Sequence, residues 1–561
     1  MTHRDRDRVS EREPTEAVEN FLAQFWRRNP VSATFAGLHG YDSVLPDWST
    51  SGLARSAAEM QRSIDDLVAA KPADAWDALD IDLARGQQEI RVAENAALHG
   101  PRGNPALWTG EAVFGLVSLM LRRFSAADSR AEHLTRRLKA ISPFLVEAES
   151  TLSGATTPAP WAARALRECE GAKLLLEDVP LWLKSEKVTA AIADEVTAAI
   201  PGAVSAFAEF AAWLKARPVS SDGSMACGGE FFDLLLARGH MSSRTRADLL
   251  GAAKTQLATS KAALEKAAND EFGNWAAVEE RLVAARPTAD GYLQSFDRTW
   301  AQCYAKVMRD EIVEWPHWPV HYVHQPAWAQ RAAPFLYFLH YRSPAPFDLS
   351  LAHQYLVPPI DAADPDKYFR AWNYAVIKLN HVVHHGAIGH HVQNWHAYNR
   401  TPSRIGQVAA VDCASRIAMF CGGTMAEGWA CYATALMEEI GLLTPVERLS
   451  EQQSHLRFLA RAIVDISLHE RSMTFDEGVR FYMEEAGMTE AVARNETAKN
   501  SMFPGTGLMY WLGMQGILDL RAELQRRQGD TFSLRQFHDD LLEHGSMPVS
   551  LAVRRMLEEA R

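Results

Sequence analysis

The feature that most constrains this chain is a cluster of histidines in one short segment of its 561 residues. Five of the 20 histidines lie between His381 and Gln393, a stretch that reads H-V-V-H-H-G-A-I-G-H-H-V-Q. A second apolar segment further along reads A-E-G-W-A-C-Y and carries the carboxylate of Glu427. Imidazoles from one segment and a carboxylate from its neighbour are the donors with which proteins assemble a divalent metal site. The sequence therefore predicts a metal centre between two apolar segments.

Two arrangements of these histidines are compatible with the spacing. His381 and His385 stand one turn apart on the same face of a regular helix. Alternatively, His384 pairs with His390 or His391, which lie about 9 and about 10.5 Å further along the axis of a regular helix. An undistorted helix cannot easily bring either of those pairs to one metal ion, so the second arrangement requires a bend.

Two glycines supply the means for such a bend. Gly386 and Gly389 separate the first histidine pair from the second, and glycine permits the backbone angles of a kink or a wide turn. Packing of the histidines in a core is the competing interpretation, but each buried imidazole needs hydrogen-bond partners. Two adjacent His-His pairs followed by a carboxylate favour a metal site over that alternative.

Most of the chain has the composition and periodicity of α-helix. Between residues 16 and 27, apolar residues recur at the i, i+3, i+4, i+7 spacing of one helical face. Other segments are rich in Ala, Leu, Glu and Lys and poor in Gly and Pro, as helix interiors require. The further predicted helices cover residues 54–68, 131–152, 188–214, 244–268, 367–395 with an interruption near the two glycines, 424–440, 454–469, 475–486, 507–526 and 534–544. We therefore expect a mainly α-helical protein.

One stretch departs from the helical pattern. Residues 315–348 are rich in aromatic residues, His and Pro with partial alternation, which predicts short extended segments and loops. They form either a wall of a substrate groove or a packed crossover between lobes. We expect a large helical, metallopeptidase-like domain of two lobes around a groove, with this small β element beside it. Its predicted parts are a disordered tail at residues 1–14, an N-terminal lobe at 15–300 and a C-terminal lobe at 301–561 that carries the metal motifs.

Charge and cysteine content narrow the partners and the compartment. The net charge of −12 disfavours nucleic acid, because binding phosphates requires a basic surface. The six cysteines have no C-x-x-C spacing, which is typical of reduced thiols. The first 14 residues have no apolar signal segment, and the longest uninterrupted apolar run, residues 112–121, is too short to span a bilayer. We therefore predict a cytoplasmic protein that binds neither nucleic acid nor membrane; its oligomeric state does not follow from the sequence.

The motifs resemble those of a large bacterial family of unknown function whose members are predicted to be zinc metallopeptidases. H-H-G-A-I-G-H-H-V-Q at residues 384–393 resembles the family's H-E-A-I-P-G-H-H-L-Q, and E-G-W-A-C-Y at 427–432 resembles its E-G-W-A-L-Y. Similar motifs follow in the same order at residues 461–469, 496–513 and 532–548, and another lies near the start at 29–42. The resemblance spans most of the chain and is specific because the motifs agree in order and spacing.

The resemblance implies a fold and a set of metal ligands. The family looks like a distant relative of helical zinc carboxypeptidases and oligopeptidases, whose H-E-x-G-H motif is similar but two residues shorter. By that comparison, His384 and His390 would be the nitrogen ligands of Zn²⁺ and Glu427 the carboxylate ligand. His391 would contact the substrate, support the ligands, or replace His390 as a ligand.

Four further residues match positions in the family's motifs. Tyr510 would stabilise the oxyanion of a tetrahedral intermediate. Asp465 and His469, one turn apart on a helix, would support the ligands or contact the substrate. Lys499 stands where the family has Arg and could hold a carboxylate as a point charge. For Tyr510 and for the Asp465–His469 pair, a purely structural role is the alternative.

The chain departs from the family at the position that matters most for catalysis. The family's Glu, which would be the general base of a zinc hydrolase, is His385 here. Neutral imidazole can accept a proton near neutral pH. Beside a dication, however, it could instead become another ligand and close the open coordination position. Loss of the metal is a third outcome.

From these features we predict a zinc-dependent hydrolase that cleaves amide bonds in a peptide or a peptide-like small molecule. His385 and Tyr510 are its catalytic candidates. Two alternatives stay open. One is a catalytically degenerate metallopeptidase fold that binds a metal or a ligand, and the other is a histidine-rich transition-metal site with non-hydrolytic chemistry.

Overall fold

A computed structural model of the chain describes residues 15–220, 225–336, 341–348, 353–361 and 363–560. Helices make up 72% of the structure, and the described strands form two small sheets of two strands each. The mainly α prediction is therefore confirmed. The predicted disordered tail at residues 1–14 lies outside the described residues.

The helices of the N-terminal half are mostly long, and a π-helical turn at Leu235–Gly239 follows one of them directly. In chain order they are α1 (Glu16–Arg28), α2 (Pro30–Ala36), α3 (Thr50–Ala69), α4 (Ala75–Ala96), α5 (Pro105–Leu121), α6 (Ala127–Leu152), α7 (Ala159–Glu186), α8 (Ala190–Lys215), α9 (Gly229–Leu234), α10 (Arg246–Phe272), α11 (Trp275–Ala284) and α12 (Tyr292–Arg309).

The C-terminal half contains both short connecting helices and long packed helices. In chain order they are α13 (Ala327–Gln330), α14 (Pro365–Ala371), α15 (Tyr374–Val376) running into a π-helix (Ile377–Gly386), α16 (His390–Asn399), α17 (Arg404–Val408), α18 (Gly423–Glu439), α19 (Pro445–His469), α20 (Phe475–Ala486), α21 (Glu490–Met502), α22 (Leu508–Gln528), α23 (Leu534–Glu543) and α24 (Val549–Glu559).

Local capping signals set several of these bounds. The side chain of Thr474 accepts a hydrogen bond from the backbone N–H of Glu477, and the side chain of Glu477 accepts one from the backbone N–H of Thr474. This reciprocal pair satisfies two helix N–H groups that would otherwise have no partner. Helix α20 accordingly begins where the apolar pattern predicted. Thr444 caps α19 in the same way, so α19 begins at Pro445, earlier than the predicted residue 454.

The small sheets are parallel pairs, and one of them stands beside the histidine motif. They pair β1 (Thr157–Pro158) with β2 (Val219–Ser220), and β3 (Val320–His324) with β4 (His353–Val357). Strand β3 lies inside the stretch for which we expected extended segments, and its partner follows just after it. The hydroxyl of Tyr355 on β4 lies 2.5 Å from Nδ1 of His381, so this sheet packs directly on the π-helix.

Three clusters of buried apolar side chains form the core. The first fills the space among α1 to α8 and extends to α19, α20 and α21. The second lies among α12, the β3–β4 sheet, α18, α22 and α23, around the histidine motif. The third joins α10 and α11 to α19. Helices from both halves of the chain therefore share cores, and the metal motifs are enclosed by packed helices.

Helices α18 and α22 approach closely where two glycines face each other. A Cβ added at Gly428 would lie 2.5 Å from the backbone of Gly513, and one added at Gly513 would lie 2.0 Å from the carbonyl of Thr424. Only residues without a side chain permit this approach. As a result, Glu427 on α18 and Tyr510 on α22 line the same cavity.

Candidate metal centre

The predicted helix across the histidine motif is interrupted, and the interruption builds the site. From Ile377 to Gly386 the backbone is π-helical, a conformation that is frequent at functional sites. The chain then leaves the helix at Ala387, and α16 begins at His390. A Cβ at Gly389 would lie only 2.0 Å from the carbonyl oxygen of His384, so no larger residue fits there without a backbone shift. The turn therefore brings the start of α16 back against His384.

Two indole groups hold this turn in place. Nε1 of Trp300 donates to the carbonyl of Gly386 at 3.0 Å, and Nε1 of Trp429 donates to the carbonyl of Ile388 at 2.8 Å. Trp429 is fully buried and follows Glu427 closely on α18. One helix thus supplies both the acid of the site and the group that anchors the histidine turn.

His384, His390 and Glu427 converge on one point. Nε2 of His384 lies 3.5 Å from Oε2 of Glu427, and Nε2 of His390 lies 3.7 Å from the same oxygen. Donors with these separations suit a single Zn²⁺ bound at the usual distances of about 2.0–2.2 Å. The three side chains are between 9% and 23% exposed, so they meet in a shielded place with access from one side.

The protonation states at this point are those that a metal requires. Burial, together with His384, lowers the pKa of His390 to about 4. Burial raises the pKa of Glu427, but the hydrogen bond from His384 and the positive charge of Lys499 hold it well below its usual range. A neutral imidazole and an ionised carboxylate are the forms that bind a cation.

His385 adjoins the converging groups. His384, His385 and His390 each offer one ring nitrogen, and these atoms lie within 4.8 Å of one another. Nδ1 of His385 lies 2.5 Å from the carbonyl oxygen of Asn380, so Nδ1 carries the proton and Nε2 carries the lone pair. Burial and the two neighbouring histidines lower the pKa of His385 well below its usual value. This neutral ring suits either a proton acceptor or a further metal ligand.

The other two histidines of the motif have different partners. The ring of His381 stacks on Trp372 at 4.1 Å, in addition to its contact with strand β4. Nε2 of His391 lies 3.0 Å from the carbonyl oxygen of Trp318, and its ring is fully buried. Neither side chain belongs to the group that meets Glu427, so the structure selects one of the registers that the spacing left open.

Two more of the predicted residues lie in the cavity in front of the cluster. Nζ of Lys499 lies 3.4 Å from the hydroxyl of Tyr510, and both side chains line the cavity together with His390 and Glu427. The guanidinium of Arg461 lies over the Tyr510 ring at 4.4 Å. A phenol hydroxyl beside an ammonium group is well suited to stabilise negative charge that develops near it.

Asp465 and His469 support one wall of this cavity from behind. Asp465 accepts hydrogen bonds from two backbone N–H groups of the loop 503–507, at 3.0 and 2.7 Å. His469 accepts the N–H of Cys227 at Nδ1 and donates through Nε2 to the carbonyl of Asn500, at 3.1 and 3.0 Å. Residues of that loop line the cavity, so this pair positions the wall and does not face the cluster.

Part of the cavity is built by residues that the motifs did not indicate. The hydroxyl of Tyr341 accepts a hydrogen bond from Asn394 at 3.1 Å, and its ring lies parallel to that of His390. Arg416, on a hairpin at residues 409–419, lines the cavity. Arg91 and other residues of helix α4 also line it. In the sequence, Arg416 stands four residues after Asp412 in a largely apolar segment, and neither charge indicates a cavity.

The comparison with protein families gives one match over nearly the whole chain. The profile described as "Bacterial protein of unknown function (DUF885)" matches residues 30–556. The chain belongs to the DUF885 family. Membership agrees with the family that the motifs resemble, a family whose function is not known. No curated protein matches this DUF885 member.

Two solved structures share the fold of this DUF885 protein. One is described as "a putative lipoprotein of unknown function from Shewanella oneidensis" and matches with a TM-score of 0.75 at 20% identity. The other is described as "the putative lipoprotein from Colwellia psychrerythraea" and matches with a TM-score of 0.76 at 17% identity. Each match covers 97% of this chain and 99% of the other. At these identities the similarity shows the fold alone.

These neighbours correct the predicted compartment. We expected a cytoplasmic protein, but both solved neighbours are described as putative lipoproteins, a class that is anchored to membranes, and the cytoplasmic prediction is wrong. Among the described residues, helix α8 is long and apolar enough to cross a bilayer by composition, and it packs against α6 and α7.

Proposed function

We propose that this protein is a zinc-dependent hydrolase that cleaves amide bonds in a peptide or a peptide-like small molecule. The observation that supports it is the convergence of two histidine nitrogens on one carboxylate oxygen, at 3.5 and 3.7 Å, at the edge of a cavity. The similarity of the motifs to those of zinc metallopeptidases agrees with this reaction class.

The chemistry of the donors fits Zn²⁺. Two neutral imidazoles and one carboxylate are a ligand set of catalytic zinc sites, in which the fourth position stays open. His384, His390 and Glu427 would hold the ion. When bound, Zn²⁺ would lower the pKa of a coordinated water and polarise the carbonyl that is attacked.

The chain's own groups would carry the proton transfers and stabilise charge. His385 donates Nδ1–H to Asn380 and so keeps its other nitrogen as an acceptor. That nitrogen would take a proton from the attacking water and return it to the leaving amine. Tyr510 would donate a hydrogen bond to the oxyanion, and Lys499, 3.4 Å from the phenol, would add positive charge there.

The same cluster supports a second function. Because ring nitrogens of His384, His385 and His390 lie within 4.8 Å of one another, His385 could complete a four-donor shell with Glu427. Four protein ligands close the zinc tetrahedron and leave no position for water. The protein would then bind a metal without hydrolysis. A six-coordinate metal such as iron would keep open positions in that shell for non-hydrolytic chemistry.

Metal analysis combined with a peptide panel separates these functions. Full-length protein purified without added metal is analysed by mass spectrometry for its metals and assayed for peptide cleavage. The proposed function predicts one zinc per chain and cleavage that EDTA abolishes and added zinc restores. Zinc without cleavage supports the metal-binding function, and redox-active iron supports the non-hydrolytic one. Protein that holds no metal even after incubation with zinc contradicts each of these metal-dependent functions and supports a degenerate fold that binds a ligand.

A pair of neighbouring histidine variants provides the matched control. His390→Gln should abolish both zinc binding and cleavage because it removes a ligand. His391→Gln changes the adjacent buried imidazole, which contacts Trp318, and should keep zinc and measurable cleavage. If the two variants lose zinc equally, the ligand assignment is wrong.

A further inference from the structure

We infer that the end of the cavity formed by Arg416, Arg91 and Glu94 binds a carboxylate group of the substrate. The peptide nature of that substrate rests on the proposed function, whereas the anion site itself rests on the contacts described below. A C-terminal carboxylate and an acidic side chain present the same chemistry to such a site, and the experiment distinguishes them.

Arg416 already holds a carboxylate in this structure. Its two terminal nitrogens each contact a different oxygen of Glu94, one of them at 3.1 Å, and Nη1 of Arg91 lies 2.5 Å from the same carboxylate. The fork of a guanidinium matches a carboxylate through two parallel contacts, which is the geometry of strong and specific recognition. Two guanidinium groups share one acid here, so the cluster itself carries a net positive charge.

A hairpin from the second half of the chain brings Arg416 to helix α4. Backbone hydrogen bonds close the hairpin 409–419, including one from the N–H of Cys413 to the carbonyl of Arg416 at 3.0 Å. Its other side is fixed by two reciprocal hydrogen bonds between Asp412 and Ser343, both at 2.8 Å. The backbone under Arg416 is therefore held before any ligand arrives, and such preorganisation lowers the entropic cost of binding.

Exposure shows which group of the cluster can meet a ligand. The side chain of Arg416 is 30% exposed and that of Arg91 is 18% exposed, whereas Glu94 between them is 9% exposed. Both arginine side chains are therefore more accessible than the acid that they share. Arg416 lines the same cavity as His390 and Glu427. A peptide bound with its amide at the metal centre would meet these cations further along its chain.

The charge of the whole cavity favours an anion as well. Its lining carries four cationic side chains and three acidic ones, namely Arg91, Arg342, Arg416 and Lys499, and Glu94, Asp412 and Glu427. Glu427 faces the histidines and Glu94 faces the arginines, so neither is available to attract a basic ligand. A second, adjoining cavity shares Arg91, Glu94 and Arg416 with this one, and Glu111 lines only that second cavity. Burial raises the pKa of Glu111 to about 7, so its carboxyl group offsets only part of the positive charge.

The test measures binding, so that it does not depend on hydrolysis. Three probes are titrated into the full-length protein in the presence of EDTA: acetyl-Ala-Phe-Ala, its C-terminal amide, and the amide of acetyl-Ala-Phe-Glu. We expect the free acid to bind about 10-fold or more tightly than its amide, because hydrogen bonds to charged groups contribute strongly. Tight binding of the Glu-containing amide would show that a side-chain carboxylate is the group recognised.

Two substitutions with opposite expected effects assign the difference to this cluster. Arg416→Gln should reduce binding of the acid to the level of the amide and leave the amide unchanged. Glu94→Gln removes the internal competitor and should tighten binding of the acid several-fold, a gain that misfolding cannot produce. Arg55→Gln is the matched control, because Arg55 also pairs with an acid but lines only the adjoining cavity.

The outcomes separate this inference from the proposed function. Equal binding of all three probes to the unmodified protein, or weaker binding of the preferred acidic probe to Glu94→Gln, would overturn the inference even if zinc-dependent cleavage is found. Loss of the acid's advantage in Lys499→Gln but not in Arg416→Gln would also overturn it, by placing the anion site beside Tyr510. A preference for the acid that depends on Arg416 supports the inference even if the protein cleaves nothing.

Discussion

Among the described residues, two of the buried groupings of histidine and carboxylate differ in what their polar atoms contact. At the metal centre, Nε2 of His384 and Nε2 of His390 both face Glu427 at the edge of a cavity. At the second grouping, both nitrogens of His469 and both oxygens of Asp465 contact backbone groups of neighbouring segments. At the metal centre, the two histidine nitrogens and the carboxylate face one another at the edge of the cavity. At the second grouping, the carboxylate oxygens instead bind backbone N–H groups of the loop 503–507.

Their electrostatics differ accordingly. Burial raises the pKa of Asp465 to about 8 even though it accepts backbone hydrogen bonds, and burial lowers the pKa of His469 to about 3. This second pair is therefore largely neutral at pH 7. Glu427 instead stays ionised because of the histidines and Lys499 around it. Residue type and spacing are similar at the two places, and the partners of each polar atom are what distinguish a candidate ligand from a structural support.

The largest expected effect is loss of metal when a candidate ligand is removed. Glu427→Gln should weaken zinc binding by more than about 100-fold, because changes to groups that merely orient ligands already cost about 10–100-fold. Competition with a chromophoric chelator measures the affinity. Asp465→Asn makes the same chemical change at the second grouping and should leave zinc affinity unchanged. Equal losses of zinc affinity in the two variants would show that the two groupings do not differ in metal binding.

At the second grouping, a large effect is expected on the stability of the fold and not on zinc binding. Asp465→Ala should lower the free energy of unfolding by about 2–6 kcal/mol, since two buried N–H groups lose their acceptor and each costs about 1–3 kcal/mol. Urea unfolding of the metal-free protein measures this change. Asp66→Ala on the exposed face of α3 is the control and should have little effect. A stability equal to that of the control would show that Asp465 does not hold the loop 503–507.

A smaller effect is expected when the family's acid is restored next to the ligands. His385→Glu should raise the rate of peptide cleavage by about 10-fold, because a carboxylate beside a cation accepts a proton more readily than imidazole does. Zinc content should stay the same in the variant. Loss of cleavage with zinc retained would show that the imidazole itself is required. A fall in zinc content would show that His385 is a ligand.

The smallest effect is expected at His39, whose two nitrogens both contact carboxylates. They lie 2.9 Å from Asp42 and 2.9 Å from Asp348, and although burial lowers its pKa, these hydrogen bonds raise it to about 9. The stabilisation should be complete below the unfolded-state pKa of about 6.5 and should be lost as the pH rises through about 9. Urea unfolding between pH 6 and 10 should show a difference between the unmodified protein and His39→Gln that shrinks with rising pH. A difference independent of pH would contradict the charged state of His39.

Much of the fold was predictable because helices are specified locally. The segment 475–486 has the apolar spacing of a helix, and Thr474 begins it with a side-chain cap, so its predicted and observed bounds coincide. The helix expected across 367–395 is interrupted more extensively than its glycines indicated. The π-helix and the turn after it depend on Trp300 and Trp429, which donate to carbonyls of that turn from distant positions in the chain.

The candidate site was predictable in its residue types but not in its full membership. The motifs indicated His384, His390 and Glu427, while leaving open whether His391 would replace His390. Nothing in the spacing indicated that Asp465 and His469 would turn to backbone groups. Arg416 was not predicted, because nothing in the residues around it indicates a partner on a helix more than 300 residues earlier.

By itself, the sequence determined which segments form helices and where the metal-binding residue types lie, because periodicity and capping act over a few neighbouring residues. The tertiary structure decided which of the adjacent histidines faces Glu427 and which faces Trp318, because a turn pinned by distant side chains sets the direction of each ring. It also decided that Arg416 meets Glu94. Contacts between remote segments depend on how whole helices pack, and that packing is not encoded in any short stretch of residues.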